Sequence, residues 1–130
     1  MSSTADGSRQ GEGEDCRTRE VLDFVGDKWS LLVVRHLSQG PRRFTELKRA
    51  IDGISQRMLT VTLRGLERDG ILVRTVRSVM PPHVSYELTP MGRTLRAAAL
   101  PLLEWSVENL AHIDRARAEY DARADTPPAR

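Results

Sequence analysis

The sequence predicts a mainly α fold with one small β-hairpin, an α+β arrangement, and three observations predict it. Apolar residues recur at helical spacing through most of the chain, whereas two runs within residues 71–88 have the composition and alternation of strands. Glycine or proline stands at the joints between these segments. We divide the 130 residues into a disordered acidic tail (1–14), one folded domain (15–113) and a frayed C-terminal tail (114–130).

Two helices are predicted before the first proline of the chain. The first covers about residues 16–25, and Gly26 breaks it. Asp27 is the expected N-cap of the second helix, which ends at Gly40-Pro41. Because Trp29 is followed by apolar residues at helical spacing, we assign it to the core rather than to a ligand site.

A pair of short helices is predicted next. Residues 42–44 form a short extended piece, and Thr45 is the expected N-cap of a helix that ends near Ile51. Asp52-Gly53 makes a turn, and the following helix begins at its N-cap, Ser55. Two short helices joined by a tight turn that contains glycine are typical of a helix-turn-helix.

The second helix of this pair has two chemically different faces, and it ends at Gly70. Leu59, Leu63 and Leu66 recur at i, i+4 and i+7 and form one apolar stripe. The opposite side, with Thr60 on its flank, carries three arginines and one valine, namely Arg57, Val61, Arg64 and Arg68. An apolar back and an arginine-rich front indicate a helix that reads DNA.

A β-hairpin and a long helix complete the predicted domain. Residues 71–77 and 84–88 are the strands, and the tip between them contains Pro81-Pro82, which cannot donate ladder hydrogen bonds. Thr89 caps a long helix with proline in its first position, and Pro101 is expected to kink or break that helix. This order of elements, with the hairpin as a wing, is that of a winged helix-turn-helix.

The charge of the chain is unevenly distributed. The formal net charge is +2, but residues 1–15 carry −3, whereas residues 42–77 hold nine Lys or Arg against four acids. The positive excess therefore coincides with the candidate recognition helix, as expected of a protein that binds double-stranded DNA. A solvated charged face is the simpler alternative.

Several classes of function find no support in the residue pattern. Cys16 is the single cysteine, and the three histidines are widely scattered, so we expect no metal site and no cofactor. Phosphate-binding glycine loops, nucleophile elbows and paired carboxylates are also missing from the sequence, and we expect no enzyme. No run is long and apolar enough for a membrane span, and we expect a cytoplasmic protein without membrane partners.

The chain resembles the HxlR-type transcriptional regulators, a branch of the MarR-like winged-helix proteins. The matching blocks cover about residues 16–110. They are Cys16 before a short helix, GDKW (26–29) followed by SLLVVRHL, GPRRFTEL (40–47), GISQRMLTVTLRGLERDGIL (53–72) and PPHVSYELTPMGRTL (81–95), with Trp105 at the expected distance beyond.

The resemblance implies a homodimeric, sequence-specific DNA-binding regulator, usually a repressor. It also implies a recognition helix in the major groove, a wing near the minor groove and a dimer made by the terminal helices. Some members respond to oxidants or electrophiles through the N-terminal cysteine, which Cys16 matches. Two positions depart from the family pattern, since Cys16-Arg17 replaces Cys-Pro and His83 stands at the wing tip where arginine is common.

Three sets of residues are predicted to act together. The DNA base contacts are expected from Gln56, Arg57, Thr60, Val61 and Arg64. The backbone or wing contacts are expected from Arg42, Arg43, Thr45, Lys48, Arg49, Ser55, Arg68, Arg74, Arg77 and His83. The dimer interface is expected from Leu102, Leu103, Trp105, Val107 and Leu110. Each set has an alternative interpretation. The residues of the first set would be ordinary solvent-facing positions, those of the second would serve solubility, and the apolar residues of the third would pack on the chain's own first helix.

Two questions stay open at the level of sequence. Cys16 is a candidate sensor because a helix start and the neighbouring Arg17 and Arg19 favour a thiolate, whereas Glu14 and Asp15 oppose it, and an inert cysteine is the alternative. A small-molecule effector near the dimer interface is equally open. The alternative function is a winged-helix protein-interaction module without specific DNA binding.

Overall fold

The computed structural model describes residues 3–78 and 80–125, and the side chains within this range from residue 13 onward. Its helices are α1 (Ser3–Val25), α2 (Lys28–Leu37), α3 (Phe44–Ala50), α4 (Gln56–Arg68), α5 (Pro90–Glu108) and α6 (Leu110–Ala124). The strands are β1 (Arg42–Arg43), β2 (Leu72–Arg77) and β3 (His83–Leu88). The chain forms two compact units, residues up to 96 and residues from 97 onward.

The three strands form one antiparallel sheet in the order β1-β3-β2. In the hairpin, Leu72 faces Leu88 at the inner end and Arg77 faces His83 at the outer end. The two-residue strand β1 pairs with the other edge of β3, which places Arg42 opposite Tyr86. The mainly α fold with a small hairpin, and its winged helix-turn-helix order, are thereby confirmed.

The core of the first unit lies between α2, α3, α4 and the inner end of the sheet. Its buried members include Val33, Val34, Leu37, Leu47, Ile51, Ile54, Leu59, Leu63, Leu66, Leu72 and Leu88. Full burial of one such aliphatic side chain contributes about 1.5–3 kcal/mol. Trp29 is half-buried and packs against this cluster, in agreement with its assignment to the core.

Three of the predicted helix caps are present. The Asp27 carboxylate accepts a hydrogen bond from the Trp29 amide at 3.1 Å. The Ser55 hydroxyl accepts one from the Met58 amide at 3.0 Å. The Thr89 hydroxyl accepts one from the Gly92 amide at 3.0 Å. These bonds satisfy amides that the first turn of a helix otherwise leaves unpaired.

The N-cap predicted at Thr45 is wrong. Helix α3 already begins at Phe44, and Arg43 occupies the N-cap position with extended backbone angles. The amide of Arg43 donates to the Glu46 carboxylate at 3.2 Å, which is the half of a capping box that an N3 glutamate supplies. Because the glutamate fixes the start of the helix, Thr45 is an exposed residue of the first turn without a capping role.

Both predicted tails contain helix. Helix α1 begins at Ser3, although the composition predicts disorder through residue 14, and α6 continues to Ala124, although fraying is predicted from residue 114. Residues 114–124 consist mostly of Ala, Arg, Asp and Glu, and the high helix propensity of Ala, Arg and Glu accounts for the longer α6. Residues 1–2 and 126–130 of these tails lie outside the described range, and the domain limits themselves stay a prediction.

Helix α5 is not broken at Pro101. The helix runs through this residue to Glu108, and the interruption before α6 falls at Asn109. The Asn109 side-chain amide donates to the Trp105 carbonyl oxygen at 2.8 Å and so pairs a carbonyl of the last turn of α5. Among the described helices, none is long and apolar enough to cross a membrane.

Candidate nucleic-acid interface

Helix α4 packs one face against the core and exposes a basic face, as the sequence predicts. Leu59, Leu63 and Leu66 are buried, and Thr62 is buried beside them. The opposite side is exposed, with Val61 53% accessible, and it carries the side chains of Arg57, Val61, Arg64 and Arg68. The burial of one face fixes which side chains α4 can offer to a ligand.

The turn before α4 holds the helix in place. Gly53 has φ 83°, a conformation that residues with a side chain rarely adopt. Ile51 and Ile54 on either side are buried in the core, and Trp29 Cη2 lies 3.9 Å from where a Cβ of Gly53 would stand. The turn is thus anchored from both sides, which positions the N-terminal end of α4.

Thr60 has its hydroxyl proton committed to the helix. Its Oγ1 donates to the Gln56 carbonyl oxygen at 2.9 Å. Thr60 can therefore contact a base through its methyl group and its oxygen lone pairs. The methyl group is suited to contact with a thymine methyl. Gln56 itself is exposed in the first turn of α4.

Seven of the predicted backbone contacts lie on four elements outside α4. Arg42 and Arg43 form β1, Lys48 and Arg49 lie in the last turn of α3, Arg74 and Arg77 lie on β2, and His83 begins β3. Successive residues of a strand point to opposite faces, so Arg74 and Arg77, three positions apart, do not share a face. The Arg42 guanidinium lies 3.6 Å from the Glu46 carboxylate, and the pair is partly exposed.

Arg68 is separated from the other predicted DNA contacts. It lines a cavity of about 690 Å³ between α1, the C-terminal end of α4 and Met91, together with Phe24 and Gly65. Arg64 lines a different cavity, on the sheet side of α4. Arg64 and Arg68 thus share a face of α4 but border different cavities.

One histidine near β1 has a lowered pKa. Burial lowers the pKa of His36 below its ordinary value of 6.5, and the positive charges of Arg35 and Arg42 lower it further. The cationic character of this part of the surface consequently comes from arginines rather than from His36.

Comparison with known proteins identifies the family. The model of the HxlR-like helix-turn-helix family matches residues 24–114. The chain belongs to the HxlR-like helix-turn-helix family. It is a helix-turn-helix transcriptional regulator, in keeping with the seated α4 and the wing beside it.

Relatives of this HxlR-like protein carry related names. The chain is 41% identical over 109 residues to the uncharacterised HTH-type transcriptional regulator YtfH of Escherichia coli (strain K12), covering 84% of this chain and 86% of the relative. A structure from Salmonella typhimurium, named for the transcriptional regulator ytfH, has a TM-score of 0.72 and 39% identity, covering 78% and 90% of the two chains. The redox regulator HypR in its oxidised form has a TM-score of 0.68 and 44% identity, covering 72% and 97%.

Cys16, the candidate sensor of this HxlR-like protein, is exposed as a free thiol. Its expected position at a helix start is wrong, because α1 begins at Ser3 and Cys16 lies well inside it, beyond the reach of the helix N-terminus. The adjacent Arg17 donates to the Glu20 carboxylate at 2.9 Å. Since this pairing occupies the Arg17 guanidinium, the positive charge expected beside the thiol is partly neutralised by Glu20. Within the ranges that the structure covers, no cluster of three or more metal-ligating side chains occurs.

The apolar set on the terminal helices is exposed in the second unit. Leu103 is half-buried, whereas four other side chains are between 54% and 56% accessible, namely Leu102, Trp105, Val107 and Leu110. Clustered apolar side chains at this exposure are typical of a surface that a partner covers.

Sequence reasoning missed the residues that join α4 to its neighbours. Phe24 of α1 lies against Gly65, and Tyr86 of β3 lines the cavity beside Arg64. The partners of Tyr86 depend on strand register, which the sequence alone did not supply. Nothing in the local pattern of α1 indicated that Phe24 meets a glycine.

Proposed function

We propose that this HxlR-like chain binds a pseudo-palindromic operator as a homodimer and represses transcription. The observation that carries the proposal is α4, whose capped N-terminus and buried leucine face leave an exposed basic front. In this proposal α4 enters the major groove, where Gln56, Arg57, Thr60, Val61 and Arg64 are near the bases. Because its ligand is chromosomal DNA, the protein acts in the cytoplasm.

The backbone contacts surround this helix on the same unit. Lys48 and Arg49 at the end of α3, and the arginines of β1 and β2, supply positive charge on both sides of α4. Such contacts set affinity and orientation but carry no sequence information. The winged-helix protein-interaction module remains the competing function, and it predicts no steep dependence of DNA binding on salt.

The homodimer is supported by the exposed apolar set of α5 and α6. Trp105 is 55% accessible in the middle of this set. Two copies that bury these side chains would present two recognition helices to half-sites about 34 Å apart. Trp105→Ala should lower the dimer fraction in sedimentation experiments, whereas Tyr120→Ala on α6 serves as the matched control, since Tyr120 lies outside the predicted set.

A redox signal at Cys16 is the regulatory part of the proposal. The thiol is exposed, and the similar structure HypR is named as a redox regulator. With one cysteine per chain, oxidation by a hydroperoxide would join two Cys16 thiols of two subunits in a disulfide, reducing the hydroperoxide to alcohol and water. Cys16→Ser should abolish the response to oxidant and leave DNA binding by the reduced protein unchanged. An undiminished response in this variant would remove the thiol from the mechanism.

The DNA-binding function is tested by fluorescence anisotropy of the reduced protein. The probe is the duplex upstream of its own gene, compared with a scrambled duplex over a salt range of about 50–200 mM. We expect tight, salt-dependent binding with a clear margin for the upstream duplex, reduced in Arg57→Gln and unchanged in the charge-matched control Arg115→Gln. Weak binding that shows no salt dependence would favour the protein-interaction module instead.

A further inference from the structure

A row of three side chains crosses the sheet next to α4. Tyr86 on the central strand β3 faces Arg42 of β1 on one side and Arg74 of β2 on the other. Residues directly opposite each other in an antiparallel pair project from the same face. The row therefore places a phenol between two guanidinium groups on one face.

This row lies where the sheet leaves the core. Two pairs further in, Leu72 and Leu88 occupy the same face and are buried. Two pairs further out, Val76 faces Val84, and Val76 is 60% accessible. On this face the row of Arg74 and Tyr86 is thus the cationic one, between a buried apolar pair and an exposed apolar pair.

Recognition helix and sheet enclose a cavity at this row. The cavity has a volume of about 220 Å³, several times the ~30 Å³ that one water molecule occupies in the liquid. Arg74 and Tyr86 line it from the sheet, and Arg64 lines it from α4. The remaining walls are formed by Phe44, Thr60, Leu63 and Glu67.

The three hydrogen-bond donors at this cavity are unengaged. Arg64, Arg74 and the Tyr86 hydroxyl form no hydrogen bond and no ion pair with any residue in the described part of the chain. Glu67 lies on the same wall without pairing to Arg64 within 4.0 Å. Two arginines and one tyrosine that line the same cavity without hydrogen-bond partners are suited to an anion with several acceptor oxygens.

We propose that this cavity binds one phosphodiester group of the DNA backbone, held by Arg64, Arg74 and Tyr86. The proposal rests on the proposed DNA-binding function and deepens it. It assigns Arg64 to the DNA backbone rather than to a guanine, which leaves Arg57 as the arginine that reads a base. Tyr86 becomes a binding residue that joins the recognition helix to the wing.

The negative charge of Glu67 is expected to weaken anion binding in this cavity. Its carboxylate stands on the wall that a phosphate would approach, so it opposes the two guanidinium groups. Glu67→Gln is therefore expected to tighten DNA binding several-fold. Asp69→Asn makes the same charge change two residues away but on the cavity beside α1, and it should have a smaller effect.

The decisive variant removes only one oxygen atom. Tyr86→Phe keeps the ring that packs against the core and loses no hydrogen bond of the described structure, so the free energy of unfolding should not change. We expect it to weaken binding to the upstream duplex and to the scrambled duplex by the same factor, about 10-fold or more for one lost hydrogen bond to a charged group. Tyr120→Phe, on an exposed tyrosine of α6, is the matched control and should bind as the unaltered protein does.

A second experiment locates the phosphate. Duplexes that carry a single methylphosphonate at successive backbone positions replace one charged phosphate at a time. At one position per half-site the substitution should weaken binding by the unaltered protein more than binding by Tyr86→Phe, which keeps the two arginines but has already lost one contact to that phosphate. Arg74→Gln should lower the salt slope by about one. If every methylphosphonate lowered the DNA affinity of the unaltered protein and of Tyr86→Phe by the same factor, the assignment would be overturned.

The outcomes separate this proposal from the proposed function. If the unaltered protein binds neither duplex, the DNA-binding function fails before the cavity is tested. If it binds and Tyr86→Phe binds equally well, only the phosphate site is overturned. Stabilisation by inorganic phosphate alone, with DNA binding of all variants unchanged, would assign the cavity to a free anion and also overturn the proposal.

Discussion

Phe24 of α1 packs directly against Gly65 of α4. A Cβ atom at position 65 would overlap the far edge of the Phe24 ring, so the ring occupies the space that a side chain would need. Phe24 is half-buried and packs against the core, which restricts how far the ring can move. The absence of a side chain at Gly65 thus sets how closely the first helix approaches the recognition helix.

The effect of Gly65→Ala on the free energy of unfolding should depend on Phe24. Gly65→Ala alone is expected to lower the free energy of unfolding by about 1–3 kcal/mol, because the new methyl group displaces the ring. In a Phe24→Ala background the same exchange should instead stabilise by about 1 kcal/mol, because alanine is the better helix former. Urea denaturation of the four proteins measures this cycle, and an effect of the same sign in both backgrounds would contradict the contact.

Ser30 should be replaceable with a gain in stability. The residue is fully buried in α2, and its Oγ has no hydrogen-bond partner among the residues that the structure describes. A buried hydroxyl without a partner costs about 1–3 kcal/mol, so Ser30→Ala should raise the free energy of unfolding by about 1 kcal/mol. Ser78→Ala, at an exposed position just after β2, is the control. A clear loss of stability in Ser30→Ala would show that Oγ is hydrogen bonded.

His36 should make stability depend on pH below about 6.5. Its pKa is lowered in the folded protein by burial and by Arg35 and Arg42, whereas in the unfolded chain it titrates near 6.5. The unfolded chain therefore binds the proton first, so stability falls as the pH drops from about 6.5 towards the folded pKa of His36. Above that window His36 contributes no pH dependence.

The comparison is between His36→Gln and His112→Gln, measured by thermal unfolding from about pH 7.5 to about pH 5. In His36→Gln the melting temperature should fall less steeply as the pH is lowered. In His112→Gln it should fall as in the unaltered protein. Equal profiles for the three proteins would mean that His36 is not the group responsible.

Arg57 should carry base discrimination. Arg57→Lys keeps the charge but loses the planar pair of donors that matches guanine O6 and N7. We expect a loss of about 1–3 kcal/mol on the preferred duplex and little change on scrambled DNA, with the salt slope retained. A parallel series with each operator base pair exchanged in turn should show relaxed preference at one position per half-site. An equal loss on both duplexes would instead make Arg57 a backbone contact.

The elements from α2 to β3 were predictable because their signals are local. The leucine spacing of α4, the caps at Asp27, Ser55 and Thr89, and the alternation of β3 each depend on neighbours in sequence. The expected N-cap at Thr45 failed because a glutamate one residue later competes to fix the helix start. Composition alone misjudged the extent of α6, since polar residues with high helix propensity resemble those of disordered segments.

The cavity beside α4 could not be predicted in the same way. Arg74 and Tyr86 are twelve positions apart, and they meet only because the hairpin adopts one particular register. A shift of one residue would turn Tyr86 to the other face. The sequence identified Arg64 and Arg74 as candidates for DNA binding, but their convergence on one cavity depends on how α4 and the sheet pack.

The hydroxyl of Thr89 has a mechanical consequence. While capping α5, it also donates towards the carbonyl oxygens of Gly70 and Ile71, at 2.6 Å and 3.1 Å. One oxygen atom thus connects three parts of the fold by hydrogen bonds: the turn that follows α4, the residue before β2 and the first turn of α5. Because the Thr89 amide also donates to the Ile71 carbonyl oxygen at 3.0 Å, a tilt of that first turn is transmitted to the segment that joins α4 to β2.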